Sequence, residues 1–121
     1  MKHKHLLINS TFESTPFKDI DFTNKWLLNI VNLIDMEVLH KPVSVKCDQQ
    51  DNEGISAFCL ITTSHICLHS WEKTDPNVVQ LDIYSCKNFQ IQTILDQINN
   101  FNPIDVKYKF LDRNKFDANI L

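Results

Sequence analysis

Hydrophobic and polar residues alternate in several short segments of the chain, and such alternation is typical of β-strands with one buried face. The clearest segment is 65–71, in which Ile66 and Leu68 fall on one side and the other side carries His65, Cys67, His69 and Trp71. Apolar or alternating segments of strand length recur at residues 3–12, 43–47, 55–61, 78–85 and 104–111. Together these segments predict six strands.

Two further segments, 27–38 and 91–98, have apolar residues at helical spacing and predict amphipathic helices. Thr23 and Asn88 are the expected N-caps, and Pro42 is expected to end the first helical segment. Three consecutive strands separate the helices, so helical crossovers cannot join all the strands. The pattern therefore predicts an antiparallel or mixed sheet with two helices on one face, in a single domain over residues 1–121.

Composition narrows the possible functions. The only glycine is Gly54, so glycine-rich phosphate loops are excluded. The net charge of −3 and the single arginine, Arg113, argue against a nucleic-acid partner. No apolar run reaches the ~18–20 residues of a membrane span, and the N-terminus does not resemble a secretory signal. We therefore expect a cytoplasmic protein with reduced cysteines and no membrane partner.

Residues 54–86 contain the candidate chemistry, and three interpretations compete there. The first is a metal site, because His65, Cys67 and His69 share one strand face. The tight Cys-x-x-Cys pair of structural zinc sites is missing, so we expect no metal. The second is a nucleophile, Ser64 or Cys86, activated by a histidine, although no nucleophile-elbow motif is present.

The third interpretation is self-cleavage at Ser64. A serine in a strained turn can attack the preceding carbonyl, here that of Thr63, and convert the peptide bond into an ester. Elimination from this ester and hydrolysis leave a pyruvoyl group, whose ketone serves as an electron sink in the manner of pyridoxal phosphate. This chemistry needs a base and a separate proton donor, and His69 and Cys86 are suitable residue types.

The sequence resembles the prokaryotic S-adenosylmethionine decarboxylases, which are pyruvoyl-dependent. Their recurring patterns are Gly-x-Ser-Gly, Glu-Ser-His-x-x-x-His-Thr-Trp-Pro-Glu and Asp-x-(Phe/Tyr)-x-Cys. This chain has similar blocks in the same order at residues 54–57 (Gly-Ile-Ser-Ala), 63–71 (Thr-Ser-His-Ile-Cys-Leu-His-Ser-Trp) and 81–86 (Leu-Asp-Ile-Tyr-Ser-Cys). The resemblance implies an α+β two-layer sandwich, with a mainly antiparallel sheet and two helices packed on one face. It also implies a homodimer and a role in spermidine and polyamine biosynthesis.

The resemblance also implies a role for individual residues. Ser64 becomes the pyruvoyl group, which forms a Schiff base with the substrate, and the chain splits into residues 1–63 and 64–121. His69 and Ser56 assist this processing near the cleavage site. Cys86 donates a proton to the decarboxylated product. Trp71 and Glu72 are the candidate substrate contacts, with Glu72 shifted by one position because the proline of the pattern is missing.

Three departures from the family pattern leave alternatives open. Thr63 stands where the family has glutamate, and Ala57 stands where it has glycine. Residues 49–53 lack the aromatic residue that stacks on adenine in the family, so Trp71 or Phe58 would have to replace it. The alternatives are the same chemistry on another amino acid, such as arginine or ornithine, and an uncleaved homologue that acts as a binding or regulatory partner. The lone Gly54 lies two residues before Ser56, which suggests a need for backbone freedom near the cleavage site.

Overall fold

The computed structural model describes residues 1–115 and consists of one six-stranded sheet and two helices. In chain order the elements are β1 (Lys4–Phe12), α1 (Ile20–Leu33), β2 (Val38–Cys47), β3 (Gly54–Ile61), β4 (Ser64–Trp71), β5 (Asn77–Ser85), α2 (Ile91–Asn99) and β6 (Asp105–Asp112). The strand order is β2-β3-β4-β5-β1-β6, and every neighbouring pair is antiparallel. The predicted α+β class is confirmed. The predicted domain extends to residue 121, and residues 116–121 lie outside the described part.

Both helices pack on the same face of the sheet. Alternate strand residues such as Ile66 and Leu68 are fully buried against the apolar sides of α1 and α2, where Leu27 and Ile94 are also fully buried. The opposite face of the sheet, here called the open face, carries the intervening side chains of each strand. It exposes large apolar groups, including 39% of Phe58. No helix among residues 1–115 has both the length and the apolar character needed to cross a membrane.

The ends of the first helix differ from the prediction. Asp19, rather than Thr23, is the N-cap of α1, and its carboxylate accepts a hydrogen bond from the backbone N–H of Phe22 at 2.8 Å. Thr23 is fully buried inside the helix, where its hydroxyl donates to the Asp19 carbonyl. The helix ends at Leu33, and Val38 begins β2 instead of extending the helix. The structure confirms the predicted apolar side of this helix, but the capping residue, Asp19, lies one helical turn before Thr23.

Two other predicted boundaries are wrong for local reasons. Helix α2 is capped by Gln90 without a side-chain hydrogen bond, so Asn88 has no capping role. Pro42 lies within β2 rather than ending an element. This strand is at the edge of the sheet, and its pairing with β3 is irregular between His40 and Val43, so the missing proline N–H is tolerated there.

Gly54 is required by a close approach of two backbones. It begins β3 opposite Trp71 and has a φ of +155°. A Cβ atom added at this position would lie 1.7 Å from the carbonyl oxygen of Ser70. The pairing also places Gly54 at the opposite end of the β3–β4 hairpin from Ser64. The expected need for backbone freedom at Gly54 is confirmed, but it serves the pairing of β3 with β4 and lies at the far end of the hairpin from the cleavage turn.

Replacing Gly54 with alanine is expected to destabilise the fold by more than about 3 kcal/mol, because backbone must move to admit the Cβ atom. Urea unfolding of the two proteins measures the difference. Gln50→Ala, in the exposed loop just before β3, is the control and should change stability by less than about 0.5 kcal/mol. A Gly54→Ala protein as stable as the control would contradict the steric explanation.

Candidate active site

The turn between β3 and β4 places unusual backbone strain on Ser64. Ile61 pairs with Ser64 across the hairpin, so only Thr62 and Thr63 form the loop. Ser64 has a φ of +146°, in a region that side-chain-bearing L-residues rarely adopt. Strain of this kind costs on the order of 1–3 kcal/mol and persists where surrounding structure enforces it. The strained residue is the serine predicted as the cleavage site.

The carbonyl before Ser64 is held by the residue predicted as proton donor. The backbone N–H of Cys86 donates a hydrogen bond to the Thr63 carbonyl oxygen at 3.0 Å. The contact arises because Ser64 pairs with Ser85, so the residue after β5 comes level with the turn. Attack on the Thr63 carbonyl carbon would develop negative charge on this oxygen, and an N–H aimed at it stabilises such charge.

Ser56 and His69 form a hydrogen-bonded pair on the open face. They are opposite each other in β3 and β4, and Ser56 Oγ lies 2.9 Å from His69 Nδ1. Both residues are exposed, and the His69 ring lies beside the ring of Trp71, with centroids 6.0 Å apart. The arrangement is a hydroxyl–imidazole pair open to an incoming group.

The two parts of the predicted site are separated within one chain. His69 comes five residues after Ser64 in the same strand, which corresponds to about 16 Å at ~3.3 Å per residue. The structure therefore brings Ser64 together with Cys86, and Ser56 together with His69, but it does not bring these two pairs together. The expectation that Ser56 lies near the cleavage site does not hold within a single protomer.

The candidate substrate-contacting residues, Trp71 and Glu72, lie at the His69 end of β4 and not at the Ser64 end. Trp71 ends β4, and its indole N–H donates to the Asn52 side-chain oxygen at 2.8 Å. Glu72 follows, and its backbone N–H donates to the Glu53 carbonyl. Both residues therefore contact the loop that lacks the aromatic residue of the family pattern. Trp71 supplies an aromatic ring next to this loop.

A histidine–aspartate network lies on the open face next to the cleavage turn. His5 Nε2 is 2.8 Å and His65 Nε2 is 3.5 Å from the same carboxylate oxygen of Asp82. Burial alone would raise the pKa of Asp82, but the hydrogen bond from His5 and the charge of His65 outweigh it and hold this pKa below its usual range. The network connects three neighbouring strands, β4, β5 and β1.

The donor atoms of this network lie within 4.8 Å of one another, as metal ligands could. However, Arg113 Nη1 lies 3.0 Å from His5 Nδ1, and a guanidinium can only donate. His5 Nδ1 is therefore the acceptor, and in the neutral ring Nε2 carries the proton toward Asp82. A ligating nitrogen cannot hold a proton, so the contacts are those of a hydrogen-bonded network.

A concavity of about 600 Å³ on the open face extends from His69 and Cys67 past Asp82 to Lys107 and Lys109. Burial and the Asp82 carboxylate raise the pKa of the Cys67 thiol to about 11, so this thiol is protonated at neutral pH. A thiolate nucleophile is therefore not available at Cys67. The concavity adjoins the Ser56–His69 pair and has room for a small molecule.

Sequence reasoning gave no role to four residues that contact the site. Asp82 and Ser85 lie in the third recognised block and His5 lies in β1, but only the strand order places His5 and Asp82 beside His65. Met36 and Ser85 contact the side chain of Thr63, as described below. The period-2 pattern places His5 on the open face, yet nothing in the sequence identifies which strands are neighbours.

Comparison with known proteins supports the family assignment. The family model described as S-adenosylmethionine decarboxylase matches residues 4–114. Among solved structures, the adenosylmethionine decarboxylase from Aquifex aeolicus is similar with a TM-score of 0.74 and 16% sequence identity. The match covers 92% of this chain and 89% of that one, and it supports the fold described above. On the family match, the chain belongs to the S-adenosylmethionine decarboxylase family.

Proposed function

We propose that this chain is a self-processing, pyruvoyl-dependent decarboxylase that acts on S-adenosylmethionine in polyamine biosynthesis. The observation that carries the proposal is the geometry of the β3–β4 turn. A serine with a φ of +146° follows a carbonyl that accepts a hydrogen bond from the Cys86 N–H. Strain at the nucleophile and a donor at the developing oxyanion both favour conversion of this peptide bond into an ester.

The processing steps follow from this geometry. Ser64 Oγ attacks the Thr63 carbonyl carbon, the C–N bond breaks, and the Ser64 nitrogen takes up a proton. Removal of the Ser64 Cα proton then breaks the Cβ–Oγ bond, so Thr63 leaves as the carboxylate end of residues 1–63. Water replaces the nitrogen of the remaining dehydroalanine and releases ammonia, which leaves a ketone at the start of residues 64–121. Chain scission also removes the strain at Ser64.

The pyruvoyl group would supply an electron sink for loss of carbon dioxide from an amino acid bound through its amine. The chain's own contribution is the proton donor. Cys86 follows β5 directly, is half-buried, and is tied by its N–H to the residue before Ser64. The backbone of Cys86 is therefore held beside the start of β4, and from this position its thiol is proposed to protonate the substrate Cα after decarboxylation.

We also propose a homodimer in which the open faces of two copies meet. The open face exposes Phe58 and Leu60 by 39% and 38%, and this apolar area would be covered in such a dimer. The Ser56–His69 pair is about 16 Å along β4 from Ser64 and cannot act on it in the same chain. A second copy would bring its own Ser56, His69 and Trp71 to the first copy's Ser64.

Mixing two inactive variants tests this arrangement. Neither Ser64→Ala nor His69→Ala is expected to cleave alone. In a mixed dimer, the His69→Ala chain keeps its own Ser64 and receives His69 from the other copy, so it should cleave. With random pairing, about half of the His69→Ala chains are in mixed dimers, and this half should cleave. Co-expression with two distinguishable tags, followed by mass measurement of each chain, gives the result. Absence of cleavage in verified mixed dimers would contradict the shared site.

The substrate is proposed from the family and from the position of Trp71. Its ring is fixed beside the loop of residues 49–53, where it can stack on adenine in place of the missing aromatic residue. Glu72, next to it, is the proposed polar contact. Carbon dioxide release from carboxyl-labelled S-adenosylmethionine should exceed release from arginine or ornithine by at least about tenfold, since neither offers a base to stack. The reverse preference would favour the alternative substrates.

The four cysteines are all free, which supports the proposed cytoplasmic location because a reducing compartment keeps thiols unpaired. The remaining alternative, an uncleaved binding or regulatory protein, was suggested by Thr63. The scissile carbonyl nevertheless keeps its hydrogen-bond donor with threonine at this position. The contacts of the Thr63 side chain bear directly on this question.

A further inference from the structure

The cleavage turn has an unusual sequence for its length. Two-residue hairpin loops favour asparagine and glycine because these residues accept positive φ angles. Here both loop residues, Thr62 and Thr63, are β-branched, and the positive φ falls on Ser64 instead. β-branched residues have little local reason to occur in such a loop. Other contacts must therefore hold the turn in this conformation.

The segment between α1 and β2 supplies part of that support. The N–H of Thr62 donates to the Glu37 carbonyl at 2.9 Å, and the hydroxyl of Thr63 donates to the Met36 sulfur at 3.0 Å. Lys87 anchors the same segment, because its ammonium donates to the Asp35 carbonyl at 2.7 Å. Three consecutive residues of this segment thus connect the turn with the end of β5.

Ser85 completes the support from the other side. It is fully buried, its hydroxyl donates to Thr63 Oγ1 at 3.1 Å, and the same hydroxyl accepts the N–H of Lys87 at 3.0 Å. The neighbouring Cys86 N–H binds the Thr63 carbonyl. Residues 85 and 86 therefore hold both the side chain and the carbonyl of Thr63, which fixes the orientation of the peptide group that Ser64 would attack.

We infer that the hydroxyl of Thr63, held between Ser85 and Met36, is a positioning group that orients the scissile carbonyl for self-cleavage. The inference rests on the proposed function. The hydroxyl gives up no proton and forms no bond in the reaction; it fixes the rotation of the Thr63 peptide. A carboxylate at this position would meet Ser85 and Met36, which are 0% and 8% exposed, and its burial would be costly. The surroundings of the residue 63 side chain in this protein therefore suit a hydroxyl group better than a carboxylate.

Cleavage of newly made chains in cell-free translation tests the inference. Thr63→Val keeps the shape and removes the hydroxyl, while Ser85→Ala removes its donor. Both are expected to lengthen the cleavage half-time at least tenfold, whereas Thr63→Ser should stay within threefold of wild type. Thr63→Val combined with Ser85→Ala should slow cleavage by less than the product of the two single effects, because both remove the hydrogen bond that the two residues share. Thr63→Glu should be slower than wild type.

Hydroxylamine identifies which step of processing is slowed. It splits esters, so it restores cleavage when only elimination is blocked. The inference predicts no restoration for Thr63→Val or Ser85→Ala, because the acyl shift itself is slowed. The same substitutions in the uncleavable Ser64→Ala chain should keep its melting temperature within a few degrees, which verifies the fold.

The outcomes separate the inference from the proposed function. If wild type does not cleave, the proposed function fails. If wild type cleaves and Ser85→Ala and Thr63→Val cleave at the same rate, the inference alone is overturned. Restoration of either variant by hydroxylamine, or a Thr63→Glu chain that cleaves as fast as wild type, would also overturn it.

Discussion

Replacing Ser64 with alanine is expected to leave the chain intact and to abolish decarboxylation. Alanine has no hydroxyl to attack the Thr63 carbonyl, so no ester, no elimination and no ketone can follow. The expected loss of carbon dioxide release is at least about 10⁴-fold, since the electron sink on which the reaction depends is never made. Denaturing gel electrophoresis and a labelled-substrate assay measure the two effects.

A second serine variant serves as the control for Ser64→Ala. Ser14 is exposed, and its hydroxyl accepts a hydrogen bond from the Lys18 ammonium, far along the chain from the cleavage turn. Ser14→Ala should therefore cleave and decarboxylate at wild-type rates. Decarboxylation by an intact Ser64→Ala chain would exclude a pyruvoyl group made from this residue.

Replacing Cys86 with serine is expected to separate processing from catalysis. The donor to the Thr63 carbonyl is the backbone N–H of residue 86, which the substitution keeps. Cleavage should therefore proceed within about threefold of the wild-type rate. The thiol that would protonate the product is lost, so decarboxylation should fall by about 10²–10⁴-fold, the usual contribution of a positioned acid.

The measurement compares the fraction of cleaved chain with carbon dioxide release per cleaved chain. Cys59→Ser is an unsuitable control because Cys59 is fully buried, but Cys47→Ser changes a half-exposed thiol at the end of β2, away from the cleavage turn. Cys47 Sγ accepts a hydrogen bond from Asn52, which also binds Trp71, and a serine hydroxyl can accept the same bond. Cys47→Ser should therefore preserve both activities. A Cys86→Ser protein that decarboxylates at the wild-type rate would remove Cys86 from the proposed mechanism.

Much of the fold could be predicted because burial imposes a simple period. The alternation around Ile66 and Leu68 identified both the strand and its buried face, since one face of the sheet packs against helices. The residues at which the helices begin and end were less predictable. Thr23 and Asp19 are both good caps by type, and only the tertiary packing that buries Thr23 makes Asp19 the cap.

The candidate site was predictable by residue type but not by geometry. The resemblance selected Ser64 and Cys86, yet the hydrogen bond from Cys86 to the residue before Ser64 depends on the β4–β5 register, which the sequence does not specify. The distance from Ser64 to His69 could have been counted along the strand, and it argues for a second copy. The roles of Met36 and Ser85 could not be foreseen, because their contacts join segments far apart in the chain.

All the proposed chemistry depends on self-cleavage of the chain before Ser64. The mass of the purified wild-type protein under denaturing conditions tests this step, and we expect two fragments, residues 1–63 and 64–121. The second should be lighter than a serine-terminated peptide by the mass of ammonia, because a pyruvoyl group replaces Ser64. A single species of 14.2 kDa that persists after prolonged incubation would contradict the account.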